Sequence, residues 1–271
     1  MAGKIKIGII GCGTIGAEIA RACQDRLKAK MELAAVCDTD QKKAELFNRS
    51  LKKKAQILKM DELMRKVDLV IEAASAHISG DVLKRCIKIN RDCLIMSVGG
   101  LLGKEELLES AKKKGVKIYI PSGALCGIDA LKAASIGKIE GVTLTTRKPT
   151  KGLDGAPYLK EAGLDLSNIK RETAVFEGSA AEAVKGFPQN INVSATLSLA
   201  GLGAARTLVR IITSPEYTKN IHELEITGDF GRIITRTENV PSKANPKTST
   251  LAILSAIATL ESIANSVRIG T

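Results

Sequence analysis

Three glycines near the start of the 271-residue chain have the spacing of a phosphate-binding turn. Gly11, Gly13 and Gly16 follow an apolar run, residues 5–10, and open an amphipathic stretch, residues 14–28. In such a unit the first glycine permits a tight turn, the second lets the backbone approach a pyrophosphate, and the third lets the helix pack closely on the strand. The helix N-terminus then offers N–H groups to the phosphates. The residues predicted to bind a dinucleotide here are Gly11, Gly13, Thr14, Ile15 and Gly16.

An acidic residue roughly 20 positions further on supports this prediction. Asp38 ends the apolar run at residues 33–37, where a carboxylate can accept hydrogen bonds from the adenosine ribose and repel a 2′-phosphate. This favours NAD, although Lys42 and Lys43 lie close enough to leave NADP open. The glycines alone would also suit a tight turn without a ligand. The predicted strand, the glycine turn, the helix and the acidic residue follow one another at the expected spacing, and this favours cofactor binding over a ligand-free turn.

Small residues at the ends of two later apolar runs are further candidates for cofactor binding. Ala74 and Ser75 end one such run, and residues 97–100, Ser-Val-Gly-Gly, end another. Open α/β sheets bind ligands at the carboxyl ends of their strands, where small side chains leave room. Tight turns explain small residues about equally well, so both interpretations stand.

The two histidines of the chain, His77 and His222, are the side chains best suited to exchange a proton near neutral pH. A dehydrogenase that acts on an alcohol or an amine needs such a group. His77 follows small residues at the edge of the predicted cofactor domain, where helix capping would explain it. His222 lies among polar residues that enter a predicted strand, so a catalytic role and an ordinary surface position are equally consistent with the residues alone.

A polar stretch at residues 243–249 could bind an anion. It contains two lysines, an asparagine and two hydroxyl side chains at a predicted helix start. Lys247, Thr248 and Ser249 would suit a carboxylate or phosphate there. Capping of the helix by Ser242 or Asn245 is the slightly favoured alternative.

The elements that must position these residues differ between the two halves of the chain. Up to residue 121, short apolar runs alternate with helix-length amphipathic stretches. Nearly continuous apolar strands are covered on both faces, which predicts an α/β fold with a doubly wound parallel sheet, the Rossmann arrangement, over residues 1–121.

After residue 121 the pattern changes to short strands in which apolar and polar residues alternate. This predicts a second, α+β domain over residues 122–245 with a largely antiparallel, half-exposed sheet, in which residues 152–163 form a loop. A C-terminal helix over residues 246–268, starting at Asn-Pro, is expected to pack back on the first domain.

Composition excludes several classes of partner. The net charge of +12 would suit nucleic acid, an anionic membrane surface or small anionic ligands. However, four Phe, three Tyr and no Trp offer little for base stacking, and lysine clusters at predicted helix ends account for much of the charge. No apolar stretch reaches the roughly 18 residues of a membrane span. We therefore expect neither a nucleic-acid nor a membrane partner, and a small anionic ligand fits the charge.

The cysteines predict a reducing compartment. None has C-x-x-C spacing and most lie in apolar runs, so buried free thiols are expected, with neither disulfides nor a metal site. The N-terminus has no signal-peptide pattern, which favours a cytoplasmic protein. A homodimer is expected because two-fold dimers are the commonest assemblies. The cysteines are Cys12, Cys23, Cys37, Cys86, Cys93 and Cys126.

With these motifs in place, the chain resembles the L-aspartate dehydrogenase family over nearly its full length. The stretches in the first half are shared with many dehydrogenases, whereas the four in the second half are more specific together. The matching stretches are residues 9–16, 72–75, 96–99, 121–124 (Pro-Ser-Gly-Ala), 187–193 (Phe-Pro-Gln-Asn-Ile-Asn-Val), 220–223 (Asn-Ile-His-Glu) and 245–249 (Asn-Pro-Lys-Thr-Ser).

The resemblance implies roles for particular residues. His222 falls on the presumed catalytic histidine, and Ala124 and Asn192 fall on residues that contact the nicotinamide cofactor. Asn190 is an alternative to Asn192, because the two stand so close in sequence, and is a candidate for substrate binding together with Lys247, Thr248 and Ser249. His77 matches no family role, and the region at residues 149–170 is longer than expected of the shortest members.

The activity implied by the resemblance is the reversible, NAD(P)-dependent oxidative deamination of L-aspartate to iminosuccinate, which hydrolyses to oxaloacetate and ammonia. The product could feed NAD biosynthesis. The substrate would be a small dicarboxylic amino acid. Two alternatives are a Rossmann oxidoreductase of the homoserine dehydrogenase or dihydrodipicolinate reductase kind, and a non-catalytic NAD-binding sensor.

Overall fold

The chain forms two compact units. The computed structural model describes residues 3–188, 192–242 and 245–270, with residues 246 and 247 described as backbone only. The first unit extends to Pro121 and includes Ile253–Arg268, and the second comprises Ser122–Ala252 and the few residues after Arg268.

The first unit contains a six-stranded parallel sheet with the order β3-β2-β1-β4-β5-β6. This order reverses direction between β1 and β4, and ligands of open α/β sheets bind at such a switch point, beyond the carboxyl ends of the strands. The strands are β1 (Ile5–Ile10), β2 (Met31–Cys37), β3 (Gln56–Ile57), β4 (Leu69–Glu72), β5 (Asp92–Ile95) and β6 (Ile118–Tyr119). The helices are α1 (Thr14–Gln24), α2 (Gln41–Ser50), α3 (Met60–Lys66), α4 (Ala76–Lys88) and α5 (Glu105–Lys114).

The central strands are buried on both faces, as their nearly continuous apolar sequences predict. All four residues of β4 are buried, and so are the last four of β1. The C-terminal helix contributes to the same core, where Ala256 and Leu260 have no exposed surface. On its outer face Glu261 accepts a hydrogen bond of 3.0 Å from Arg26, just after α1.

The second unit contains a five-stranded sheet with the order β11-β10-β7-β9-β8. Only the β7–β9 pair is parallel and the other pairs are antiparallel. The strands are β7 (Ile139–Pro149), β8 (Thr173–Ser179), β9 (Thr207–Ser214), β10 (Asn220–Gly228) and β11 (Gly231–Asn239), followed by a short antiparallel pair, β12 (Pro241–Ser242) and β13 (Asn245–Ser249). The helices are α6 (Ile128–Ala134), α7 (Pro157–Glu161), α8 (Ala180–Gly186) and α9 (Asn192–Ala200). The C-terminal helix, α10 (Thr250–Ala264), follows β13 and belongs to the first unit from Ile253 onward.

Alternation along β7 and β10 gives the sheet one buried face. Val142 and Leu144 on β7, and Leu224 and Ile226 on β10, belong to one apolar cluster. Successive side chains of a strand point to opposite faces, so every second residue of these strands shares this buried side.

Three local predictions were wrong. The C-terminal helix begins at Thr250 and not at residue 246, because residues 245–249 form β13 and pair with β12. The predicted loop at residues 152–163 contains the short helix α7, which has a proline at its start. Cys126 is exposed, unlike the other five cysteines, because it lies in the segment between β6 and α6 and outside any apolar strand.

Across the part of the chain that the structure describes, none of the helices is long and apolar enough to cross a membrane. The described residues also contain no cluster of three or more His, Cys, Asp or Glu side chains arranged to hold a metal ion.

Candidate active site

The glycine-rich turn has the shape of a dinucleotide cradle. Gly11 adopts a positive φ of 103°, and a Cβ there would lie 2.5 Å from the carbonyl oxygen of Ala73. A Cβ at Gly16 would collide with the carbonyl oxygen of Gly11, so the start of α1 packs directly on the turn. A Cβ at Gly13 would meet no atom within 4 Å. The turn is therefore closed at its two outer glycines and open at Gly13, next to Thr14 and Ile15 at the start of α1, which fits a pyrophosphate.

Asp38 is bound to the same turn. Its carboxylate accepts hydrogen bonds from the N–H groups of Cys12 (2.8 Å) and Asp40 (3.0 Å) and forms an ion pair of 3.3 Å with Lys43. Partial burial acts to raise the pKa of Asp38, but the two backbone N–H groups and Lys43 outweigh it and hold the pKa below its ordinary value. Asp38 is therefore an ionised acceptor at the carboxyl end of β2, where a ribose is expected.

A buried carboxylate that the sequence analysis did not single out joins the ends of β4 and β5. Glu72 has no exposed surface and accepts hydrogen bonds from the N–H groups of Ala74 (2.8 Å), Ser75 (3.0 Å) and Ser97 (2.9 Å), and from the Ser97 hydroxyl (2.9 Å). Burial raises the pKa of Glu72, and these hydrogen bonds offset part of the rise. The sequence could have indicated Glu72, because it is an acidic residue at the end of the otherwise apolar strand β4.

Glu72 therefore fixes the two small-residue segments that were predicted to leave room for the cofactor. Ala74 is exposed and Ser75 half-buried at this edge of the sheet. His77 lies in the first turn of α4 with an exposed side chain, and Ser75, not His77, precedes the helix as its N-cap residue.

His222 lies on the buried face of the second sheet. It is 5% exposed and pairs in register with Thr146 on the neighbouring strand β7. The Thr146 hydroxyl is hydrogen-bonded to His222 Nδ1 at 3.0 Å, which leaves Nε2 as the nitrogen available to a substrate. Burial, and secondly the charge of Lys148, lower the pKa of His222 to about 3. The imidazole is therefore neutral near pH 7 and able to accept a proton.

Lys148 lies on the same buried face of the second sheet as His222. Like Thr146, it was not singled out by the sequence analysis. It follows Thr146 by two positions on β7 and is 9% exposed. Burial lowers its pKa to about 8. The alternation of buried and exposed residues along β7 could have identified both residues, because Thr146 and Lys148 continue the buried positions of Val142 and Leu144.

Glu223 lies next to His222 in sequence but on the opposite face of the sheet. It forms ion pairs with Arg147 and Arg236. Partial burial acts to raise the pKa of Glu223, but the two guanidinium groups outweigh it and hold the pKa below its ordinary value. Glu223, the polar residue that follows His222 in the sequence, therefore does not face its imidazole.

A buried asparagine connects two of the predicted site residues. Asn239, at the end of β11, donates from Nδ2 to the carbonyl oxygen of Ala124 (3.0 Å), and its Oδ1 accepts from the Ser249 hydroxyl (2.6 Å). Asn239 is 3% exposed and pairs in register with Asn220, two residues from His222. The structure thus brings the 121–124 and 245–249 stretches to the end of β10 that carries the histidine.

Four other residues were predicted to belong to the site. Asn192 is exposed at the first residue of α9, and Thr248 is half-buried in β13. Lys247 is in β13, but its side chain lies outside what the structure describes, and Asn190 lies outside the described residues.

Comparisons with known proteins cover both units of the chain. Residues 129–263 match the family model described as aspartate dehydrogenase, C-terminal, and residues 11–121 match the NAD-binding domain of homoserine dehydrogenase. An L-aspartate dehydrogenase of Methanosarcina mazei is 49% identical, over 98% of this chain and 100% of its own. One from Bradyrhizobium diazoefficiens is 38% identical over 99% and 95%.

The crystal structure of aspartate dehydrogenase from Thermotoga maritima superimposes with a TM-score of 0.74 at 25% identity, covering 99% of this chain and 100% of that one. These matches confirm the predicted Rossmann sheet with a second, mostly antiparallel domain, and the first unit is of the NAD-binding kind. The identity to curated relatives extends over the second unit as well, where the alternative oxidoreductases would diverge. The chain therefore belongs to the L-aspartate dehydrogenase family.

Proposed function

We propose that this protein is an NAD-dependent L-aspartate dehydrogenase that oxidises L-aspartate to iminosuccinate and catalyses the reverse reductive amination. The observation that carries the proposal is the buried, neutral His222, which is held by Thr146 near the end of β10 to which Asn239 joins Ala124 and Ser249. A full-length relative of this name at 49% identity supports the substrate.

The cofactor would be held by residues of the first unit. The turn at Gly11, Gly13 and Gly16, with Thr14 and Ile15, would receive the pyrophosphate at the start of α1, and Asp38 would accept the hydrogen bonds of the adenosine ribose. Ala74 and Ser75, held by Glu72, would line the same edge of the sheet. Held there, NAD would supply the acceptor for the hydride from Cα of the substrate.

His222 is the proposed general base of the reaction. Deamination requires a base, either for the substrate ammonium or for the water that attacks the imine, and His222 Nε2 is the acceptor in both cases. In the reverse direction the imidazolium returns that proton. The pKa of about 3 belongs to a pocket without substrate. The two carboxylates of an arriving substrate favour the charged imidazole and raise that pKa, which makes His222 a stronger base when substrate is present.

The second unit would also supply groups for the substrate and the nicotinamide. Ala124 and Asn192 are proposed contacts of the cofactor, with Asn190 as the alternative. Lys247, Thr248 and Ser249 are proposed to form a site for a substrate carboxylate. Ser249 gives its hydroxyl proton to Asn239, which in turn donates to Ala124, so Ser249 would hold the strand in place while Lys247 and Thr248 meet the carboxylate.

The decisive experiment follows reduced nicotinamide by absorbance with NAD and L-aspartate, D-aspartate, L-glutamate, L-homoserine or L-malate. We expect turnover with L-aspartate alone, and its loss by at least a hundredfold in His222→Ala. His77→Ala is the matched control, because this second histidine is exposed, and it should retain activity.

Two outcomes would contradict the proposal. Turnover of L-homoserine in place of L-aspartate would assign the chain to another oxidoreductase. Binding of NADH without turnover of any substrate would indicate a sensor. The same assay with NADP decides the cofactor preference.

We further propose that the protein is a homodimer. β11 is an edge strand of the second sheet, and it exposes Ile234 by 60%, with Phe230 (40%) and Val240 (60%) beside it. Exposed apolar edges favour association with a second chain. Light scattering on the eluting protein should give twice the mass of 28.8 kDa, and Ile234→Lys should shift it towards the monomer. The cytoplasmic location stays a prediction.

A further inference from the structure

Lys148 shares the buried face of the second sheet with His222. Thr146 lies directly opposite His222, and Lys148 follows it by two residues on the same face of β7. The backbone of Lys148 is held in place, because its carbonyl oxygen accepts a 2.8 Å hydrogen bond from the buried hydroxyl of Thr213 on β9. The charge of Lys148 is close enough to act on the titration of His222.

Lys148 and Thr146 line a small pocket between the sheet and helices α8 and α9. Its cavity volume is about 10 Å³, room for about one water molecule, so it would receive a single carboxylate oxygen and not the whole substrate. Its other lining residues are Leu144, Leu153, Ala183, Phe187, Ser194, Val209 and Ile211. Among these described residues none carries a carboxylate, so the pocket combines one cation and two hydroxyl groups with apolar walls.

This composition suits a small anion. In a low-dielectric site an ammonium attracts a carboxylate more strongly than it does in water. When Nδ1–H of His222 donates to the Thr146 oxygen, the Thr146 hydroxyl can donate its own proton to the same carboxylate. The exposed lysines that dominate the net charge lack this environment, because solvent screens them.

We propose that Lys148 binds a carboxylate of the substrate beside His222. The inference rests on the proposed function, which supplies a dicarboxylate as the substrate. It adds Lys148 on β7 to the substrate-binding residues already proposed on β13. Because the substrate has two carboxylates, each strand can bind one of them. With its carboxylate held by Lys148, the substrate amine is restrained near the imidazole that exchanges its proton.

The test is Lys148→Met, which keeps the length and fills the apolar part of the site, with Lys151→Met as the matched control on an exposed lysine. We expect KM for L-aspartate to rise between about tenfold and a hundredfold, the effect of losing a charge-assisted hydrogen bond. The inhibition constant of succinate, a dicarboxylate that does not react, should rise in parallel. The Kd of NADH, followed by its fluorescence, should change by less than about twofold, and the control should match the wild type throughout.

Other outcomes separate the possible failures. Unchanged KM for aspartate and unchanged inhibition by succinate would overturn the inference while leaving the function intact. Equal losses in aspartate and NADH binding with a lowered melting temperature would show a structural role and overturn it as well. A wild-type enzyme without aspartate turnover would overturn the proposed function, and the inference with it. If Lys148→Met does not fold, Lys148→Gln decides by the same criteria, and Lys148→Arg should recover part of the aspartate affinity.

Discussion

Thr146 and His222 lie directly opposite each other on the antiparallel strands β7 and β10, and the threonine hydroxyl is 3.0 Å from Nδ1 of the imidazole. The contact restrains rotation of the ring and occupies Nδ1, so Nε2 is the nitrogen left to meet a substrate. Because both strands belong to a continuous sheet, the orientation of the imidazole depends on register rather than on a loop. A base positioned in this way needs little reorganisation before it accepts a proton.

The first prediction concerns this hydrogen bond. Thr146→Val preserves the shape of the side chain but removes the hydroxyl, so we expect kcat for L-aspartate to fall about tenfold, the kinetic equivalent of one hydrogen bond. The Kd of NADH should not change. Thr145→Val is the control, because the neighbouring residue points to the other face of β7. Equal activity of the two variants would show that Thr146 does not position the base.

The second prediction concerns the choice between NAD and NADP. Asp38→Ser removes the carboxylate and releases Lys43 from its ion pair, so a 2′-phosphate would meet a cation in place of an anion. We expect the ratio of kcat/KM for NADP to that for NAD to rise by at least about tenfold. Asp25→Asn, which changes an exposed acid paired with Lys52, is the control and should leave the ratio unchanged. An unchanged ratio in Asp38→Ser would place the adenosine ribose elsewhere.

The third prediction concerns Glu72 as a positioning residue. Glu72→Gln keeps the size of the side chain but turns one acceptor into a donor that faces N–H groups, and each buried group left unsatisfied costs about 1–3 kcal/mol. We therefore expect a melting temperature lower by several degrees and a Kd of NADH weakened about tenfold. Lys148→Met should not weaken NADH in this way. Intact NADH affinity in a destabilised Glu72→Gln variant would limit Glu72 to a role in stability.

The sequence predicted the parallel sheet and the cofactor turn because both depend on local patterns. The apolar runs at β1, β2 and β4 have no other stable arrangement than burial on both faces, and Gly11 and Gly16 are required by the space around them. His222 could not be assigned from the residues alone, because its polar neighbour Glu223 points to the other face of the sheet.

The residues that the sequence analysis missed depend on contacts over long separations. Thr146 meets His222 across 76 positions, Asn239 meets Ala124 across 115, and Glu72 meets Ser97 across 25. Such pairs are set by strand register and order, which single-strand periodicity does not specify. The start of α10 was predicted too early for the same reason, because β13 exists only through its pairing with β12.

The last prediction concerns the dependence of stability on pH. The pKa of a histidine is 6.5 at its ordinary value, and burial with the charge of Lys148 lowers that of His222 to about 3. Since the folded protein prefers the neutral imidazole, His222 costs no stability above pH 6.5, and an increasing penalty develops as the pH falls from 6.5 towards 3. Lys148, with a pKa of about 8, stays protonated over this range and adds no slope of its own.

Each pKa unit corresponds to about 1.4 kcal/mol, so the penalty should reach about 2 kcal/mol at pH 5. We expect the melting temperature of the wild type to fall more steeply between pH 7 and pH 5 than that of His222→Gln, and the curve of His77→Ala to follow the wild type. Parallel curves for the wild type and His222→Gln would show that the imidazole takes up a proton as easily in the folded protein as in the unfolded chain, and that its surroundings do not keep it neutral.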